Sequence, residues 1–171
     1  MSPSRPQLVA VDTNVLLDLA EDCEDVQDAM TTIRRRLPAS KLIVSPTTLQ
    51  ELAQGAANPA HPKRQAMAIR AMKSLLHPWN IRPMNLVPAG HGIVERIGER
   101  LLERGLIPPE ERHDAFILAE AALLGCSILL SSDQHLRAVD YERASLELKA
   151  ADVDMPLVAT PREIVRKFFQ R

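Results

Sequence analysis

Short apolar runs alternate along this chain with longer stretches in which apolar residues recur every three or four positions. The first run, "LVAV" at residues 8–11, has the apolar, β-branched character of a buried strand, and Asp12 or Thr13 can cap a helix directly after it. From Leu19 onward Cys23, Val26, Met30, Ile33 and Leu37 are spaced by four and three, which predicts one continuous helix with a single apolar stripe. "KLIVS" at residues 41–45 predicts a second buried strand. Ser45 and Pro46 then supply a cap and a first-turn proline for a helix that carries Glu51 and ends near Gly55. Another helix is expected over residues 63–76. The proline-punctuated "HPWNIRPMNLVP" breaks helical periodicity and predicts a connection with room for one short strand. Ile93, Val94, Ile97, Leu101 and Leu102 mark an amphipathic helix ending near Gly105. Residues 113–124 are apolar nearly all round and are followed by Gly125, the pattern of a buried helix. "SILLSS" predicts a strand running into Asp133, "PLVAT" a further strand, and Thr160, Pro161 and Glu163 the capping box of a last helix.

Strands alternating with helices predict a mainly parallel central sheet covered on both faces, a three-layer α/β/α fold. In such sheets, sites gather beyond the carboxyl ends of the strands, where Asp12 and Asp133 both fall. With 171 residues and 46% hydrophobic content, the chain is expected to form one domain, residues 1–171, with a substantial core. A formal net charge of −1 excludes a domain-wide positive field, so a polyanion would have to be held by local patches. Arg96, Arg100 and Arg104 recur every fourth residue as one basic stripe, and Arg34, Arg35, Arg36, Lys63 and Arg64 add local charge. These are candidate contacts to an RNA backbone, although a solvated helix face has the same pattern. Aromatic residues are scarce, so extensive base stacking is not expected to drive recognition. Cys23 and Cys126 lack metal-like spacing and are expected to be buried free thiols in a reducing compartment. "MSPSRPQ" has no apolar core of a secretory signal, and no apolar run approaches the roughly 18 to 20 residues needed to span a bilayer. A cytoplasmic protein without a membrane partner is expected.

Four acids recur in comparable settings: Asp12 after the first strand, Glu51 in the helix after the second, Asp114 opening the buried helix, and Asp133 after "SILLSS". Each alone has a plain structural explanation. Asp12, Asp114 and Asp133 suit helix caps or first turns, and Glu51 suits an exposed helix position. Together they suggest more, because carboxylates crowded at one sheet edge repel one another unless a cation lies between them, and hard divalent ions take oxygen ligands. Such a site is suited to phosphodiester hydrolysis.

The segments "VDTNVLLDL", "SPTTLQELAQG", "HDAFILAEAALLG" and "ILLSSDQHL", in this order along nearly the whole chain, resemble the PIN-domain nucleases, and among them most closely the VapC-type ribonuclease toxins. The resemblance implies hydrolysis of RNA with Mg²⁺ or Mn²⁺, and makes Asp12, Glu51, Asp114 and Asp133 both the catalytic and the metal-binding carboxylates. Ser131 would match the family's Ser or Thr two residues before the last Asp, and Asn14 the residue that positions the opening loop. A homodimer silenced by an antitoxin protein is implied as well. Two features depart from that pattern: the segment between the Glu51 helix and Asp114 is long, and His135 stands where many relatives carry a further acid. His113 and His135 are expected to be structural, with contact to phosphate as the alternative. Alternative readings are a PIN nuclease that processes RNA without being a toxin, and a non-catalytic PIN domain that binds RNA or protein. An aspartyl phosphatase is a weaker rival, because Asn14 occupies the third place of its D-x-D pattern.

Overall fold

The computed structural model describes residues 6–169. Residues 1–5, most of the "MSPSRPQ" stretch, and residues 170–171 lie outside them. In chain order the elements are β1 (Leu8–Val11), α1 (Thr13–Ala20), α2 (Glu24–Arg36), β2 (Lys41–Val44), α3 (Pro46–Ala57), α4 (Pro62–Ser74), β3 (Ile81–Pro83), α5 (Pro88–Glu103), α6 (Arg112–Leu123), β4 (Cys126–Leu130), α7 (Gln134–Arg137), α8 (Tyr141–Lys149), β5 (Leu157–Ala159) and α9 (Pro161–Phe169). The strands form one sheet in the order β3-β2-β1-β4-β5, and every pairing is parallel. The expected three-layer α/β/α arrangement is therefore present, and no helix of the described residues is long and apolar enough to cross a membrane.

Period-two alternation divides the strand side chains between two cores. Val9, Val11, Leu42, Val44, Ile128 and Leu130 pack on one face with apolar residues of α1, α2, α4 and α9. Ala10, Ile43 and Leu129 face the opposite way, against α5, α6 and α8. Helices α5 and α6 approach closely because Gly98 lies over Phe116, where an added Cβ would come within 2.3 Å of the ring. Both cysteines are free; Cys23 is half-buried, and burial pushes the thiol of the more deeply buried Cys126 up to about 12.

The structure departs from the sequence-based reading between Leu19 and Leu37 and at α7 and α8. The single helix expected from Leu19 to Leu37 is two, because Asp22 adopts the left-handed conformation at φ 61° and Cys23 N–H closes back on the Asp18 carbonyl. Glu24 and Asp25 then open α2, where negative charge complements the helix dipole. Helices α7 and α8 have no counterpart in the sequence-based reading. In α8 the apolar signal reduces to buried Ala144 and Leu148, with Asp140 capping through Arg143 N–H. The proline-rich connection does contain a strand, β3.

Ser45 occupies the N-cap position of α3 but makes no side-chain cap bond, and its hydroxyl is buried without a partner. Glu120 of α6 caps α3 instead: its carboxylate accepts from Thr47 N–H at 3.1 and 3.2 Å and from Thr47 Oγ1 at 2.7 Å. Removing this buried acceptor strands two donors, so Glu120→Ala is expected to lower unfolding free energy by about 2–4 kcal/mol, and Glu120→Gln by less. Urea unfolding of the two variants checks this, and equal losses would show that the cap bonds are not what matters. The Thr160 and Glu163 capping box forms in both directions, at 2.7 and 3.1 Å.

Candidate active site

The chain winds outward from β1 through β2 to β3, then returns to lay β4 on the other side of β1. The reversal opens a crevice between the carboxyl ends of β1 and β4, where doubly wound sheets place their ligands. Val11 stands opposite Leu130, so Asp12 and Ser131 leave the sheet side by side. Asp12 N–H still donates to the Leu130 carbonyl at 3.0 Å, which holds its backbone to the end of the ladder.

Asp12 is 4% exposed. Its Oδ1 accepts from Thr13 N–H at 2.6 Å and its Oδ2 from Ser131 Oγ at 2.6 Å. The Ser131 hydroxyl in turn accepts from Asp133 N–H at 3.0 Å, so one buried serine links the two aspartates. Asp133 Oδ1 caps α7 by accepting from His135 N–H and Leu136 N–H at 2.7 and 3.1 Å. Asn14 Oδ1 accepts from Ser132 N–H at 3.2 Å, tying the start of α1 to the loop after β4. Glu51, half-buried on α3, accepts from the Thr13 hydroxyl through Oε2 and lies 3.0 Å from His113 Nδ1 through Oε1. Asp114 sits in the first turn of α6, and its buried Oδ2 has no hydrogen-bond partner.

Capping explains part of this set. Asp12 and Asp133 do cap helices, and Asp114 does not. The electrostatics extend beyond caps. Burial, with added repulsion from Glu51 and Asp133, pushes the Asp12 carboxyl up to about 6 despite the bonds from Ser131 and Thr13. Burial, then repulsion from Asp133, Asp12 and Glu111, pushes Asp114 up to about 8. The four acids thus share one electrostatic environment carrying uncompensated negative charge. Among the described residues no three acidic, histidine or cysteine side chains, as placed, form a group that could hold a metal ion. Asp12, Glu51 and Asp133 accept from neighbouring groups, whereas no donor reaches the buried Asp114 Oδ2. The donor set is all oxygen, and that orphaned atom with the raised Asp12 and Asp114 carboxyls fits a hard divalent cation at an open, partly water-completed site.

The basic stripe lies along α5 and its end. Arg100 Nε and Nη2 reach Glu147 of α8 at 3.0 and 2.8 Å, and Arg104 Nε reaches the same carboxylate at 3.3 Å. Arg96 is exposed. His135 lies 3.7 Å from Glu111, whereas His113 joins the acid cluster through Glu51 rather than serving only the helix start. Sequence reasoning missed two residues. Thr13 has the sequence signal of a cap alone, yet its hydroxyl holds Glu51. The signal for Glu120 is its place as a lone acid inside the apolar run "AFILAEAALL", which calls for a buried partner.

No curated protein matches this sequence. Among solved structures the chain is similar to VapBC2 from Rickettsia felis, bound to a DNA fragment from their promoter, with 11% identity and a TM-score of 0.62 over 90% of this chain and 98% of that one. It is similar to VapBC-1 from nontypeable Haemophilus influenzae, with 16% identity and a TM-score of 0.59 over 91% and 98% of the two chains. VapBC-5 from Mycobacterium tuberculosis, a member of the VapBC family of toxin-antitoxin systems, gives 17% identity and a TM-score of 0.53 over 91% and 98%. At these identities the likeness is one of fold. The PIN-domain profile matches residues 9–142, a span that runs from β1 into α8 and takes in all four acids. The chain therefore belongs to the PIN-domain family of nucleases.

Proposed function

We propose that this protein is a divalent-metal-dependent endoribonuclease that hydrolyses RNA phosphodiester bonds at the crevice between β1 and β4. The observation that carries the reading is the convergence of Asp12, Asp114 and Asp133, with Glu51 beside them, in one place where their charges oppose each other. These four carboxylates are the proposed ligands of Mg²⁺ or Mn²⁺, which when bound supplies an activated water and neutralises charge on the scissile phosphate. Asp114 contributes its unpartnered Oδ2. Asp12 is held in place by Thr13 N–H and Ser131 Oγ, and Asp133 is oriented through Oδ1 by its cap on α7. Ser131 and Asn14 are positioning residues, because they tie the β1 and β4 loops together. On α5, Arg100 and Arg104 are engaged by Glu147, so backbone contact along that helix rests on Arg96.

The similar structures are VapBC assemblies, which supports a toxin role with an antitoxin partner; in this reading the protein acts as a cytoplasmic homodimer. Purified protein is expected to cut single-stranded RNA internally with Mg²⁺ or Mn²⁺, to stop in EDTA, and to resume when metal is restored. Metal-induced stabilisation without any RNA cleavage would overturn the nuclease reading and leave a binding domain. A short reading frame beside the gene whose product blocks cleavage would identify the antitoxin.

A further inference from the structure

Next to the acid cluster lies a polar cleft of about 220 Å³ lined by Glu51, Gln54, Asn58, His61, Arg64 and His113. It shares Glu51 and His113 with the site, and those two side chains touch at 3.0 Å, so the cleft opens directly from the proposed cleavage point. Its far wall comes from the turn between α3 and α4. Those helices meet closely at Gly55, where an added Cβ would stand 3.2 Å from Ala68 Cβ, and this approach brings His61 and Arg64 alongside Glu51. The neighbouring basic residue, Lys63, is tied to Glu21, whereas Arg64 holds no carboxylate among the described residues. Asn58 uses Oδ1 to accept from Ala60 N–H, which leaves its amide N–H groups as donors. Gln54 is exposed.

We infer that this cleft receives one splayed-out nucleobase of the RNA strand, next to the scissile phosphate, and sets sequence preference there. The inference rests on the nuclease reading above. The lining suits a base better than a phosphate. Glu51 forms one wall and repels an anion, and Arg64 is the one fixed positive charge. The Gln54 amide offers a paired donor and acceptor, and the Asn58 amide N–H groups further donors, for a base edge. The guanidinium and the two imidazoles are flat groups of the kind on which single-stranded RNA bases stack. The volume is below the range of about 300–1,000 Å³ typical of whole-ligand pockets, so it fits one base and not a dinucleotide.

The test follows the imidazole C–H resonances of His61 and His113 by NMR, in metal-free protein with EDTA at constant pH. Each nucleoside 5′-monophosphate is added in turn, and inorganic phosphate separately, with His77 and His91 as internal references. At least one nucleotide is expected to move both His61 and His113 while inorganic phosphate does not. Arg64→Gln and Gln54→Ala should each weaken that binding by about threefold to tenfold, the loss of one net hydrogen bond. Equal shifts with inorganic phosphate would make the cleft an anion site, and no shift with any nucleotide would leave it without a ligand; either overturns the inference. Sequencing the products cut from a randomised RNA gives a second readout. Both variants should relax base preference at one position flanking the cut, and an unchanged profile overturns the inference. If the wild-type protein cleaves no RNA, the nuclease reading falls by itself while the NMR arm still decides the cleft.

Discussion

Asp114→Asn and Asp12→Asn are each expected to lose RNA cleavage by at least about 10²-fold, the scale of removing a preorganised electrostatic group from a reaction centre. Asparagine keeps the shape of aspartate and one acceptor oxygen, so both folds should survive. At Asp12 the comparison is sharp, because this residue also caps α1. A residue that only capped would tolerate Asn, one of the best N-cap residues, with little loss. Initial rates on a labelled single-stranded RNA with saturating Mn²⁺ decide the point, and rates near wild type in either variant would remove that acid from the proposed site. Asp114 has no cap bond to lose, so inactivity there cannot be traced to a damaged helix start.

The metal-free protein is expected to lose stability as pH rises from about 4 to about 8. Asp12 and Asp114 ordinarily titrate at 3.8 but are held up to about 6 and about 8 in the folded chain. Between those limits the native state binds protons that the unfolded chain has released, so unfolding free energy falls with rising pH. The favourable contribution is complete below the unfolded value and is lost once pH passes each folded value. For Asp12, deeply buried and displaced by about two units, this amounts to about 3 kcal/mol. Asp114 is only half-buried and contributes less per unit, because solvent screens it. Asp18 shifts in the same direction, whereas Asp22 and Glu163, both exposed, shift oppositely through Arg70 and Thr160.

Added Mn²⁺ at pH near 7.5 should reverse the loss, by about 2.7 kcal/mol at a hundredfold excess over its dissociation constant. In Asp114→Asn both the pH slope in EDTA and the gain from metal should shrink together, since one charge underlies both. Thermal melts across this pH range, with and without metal at constant ionic strength, measure each quantity. A wild-type melting temperature that stays flat in EDTA would show that neither acid is held above its ordinary value in the folded chain.

The sequence by itself determined the layers and the sheet. Continuous apolar runs such as "LVAV" and "LIV" are what a strand buried on both faces requires, and the Thr160 and Glu163 box marks the start of α9. It also placed Asp12 and Asp133 at strand ends, because a strand, its end and the next cap are contiguous in the chain. Tertiary structure decided what these residues meet. The helical stripe from Leu19 to Leu37 survives in periodicity, but the chain breaks at Asp22, since two helices on one layer preserve a stripe that a local pattern cannot distinguish from one helix. Arg100 and Arg104 look like a free basic face until α8, absent from the sequence-based reading, brings Glu147 against them. Glu51 finds Thr13 and His113, and Glu120 finds Thr47, across 38, 62 and 73 residues of chain. Pairings at such separations depend on how whole helices pack on the sheet. A pattern read over one or two turns records which face a residue takes, and only the packed layers determine which other residue stands opposite it.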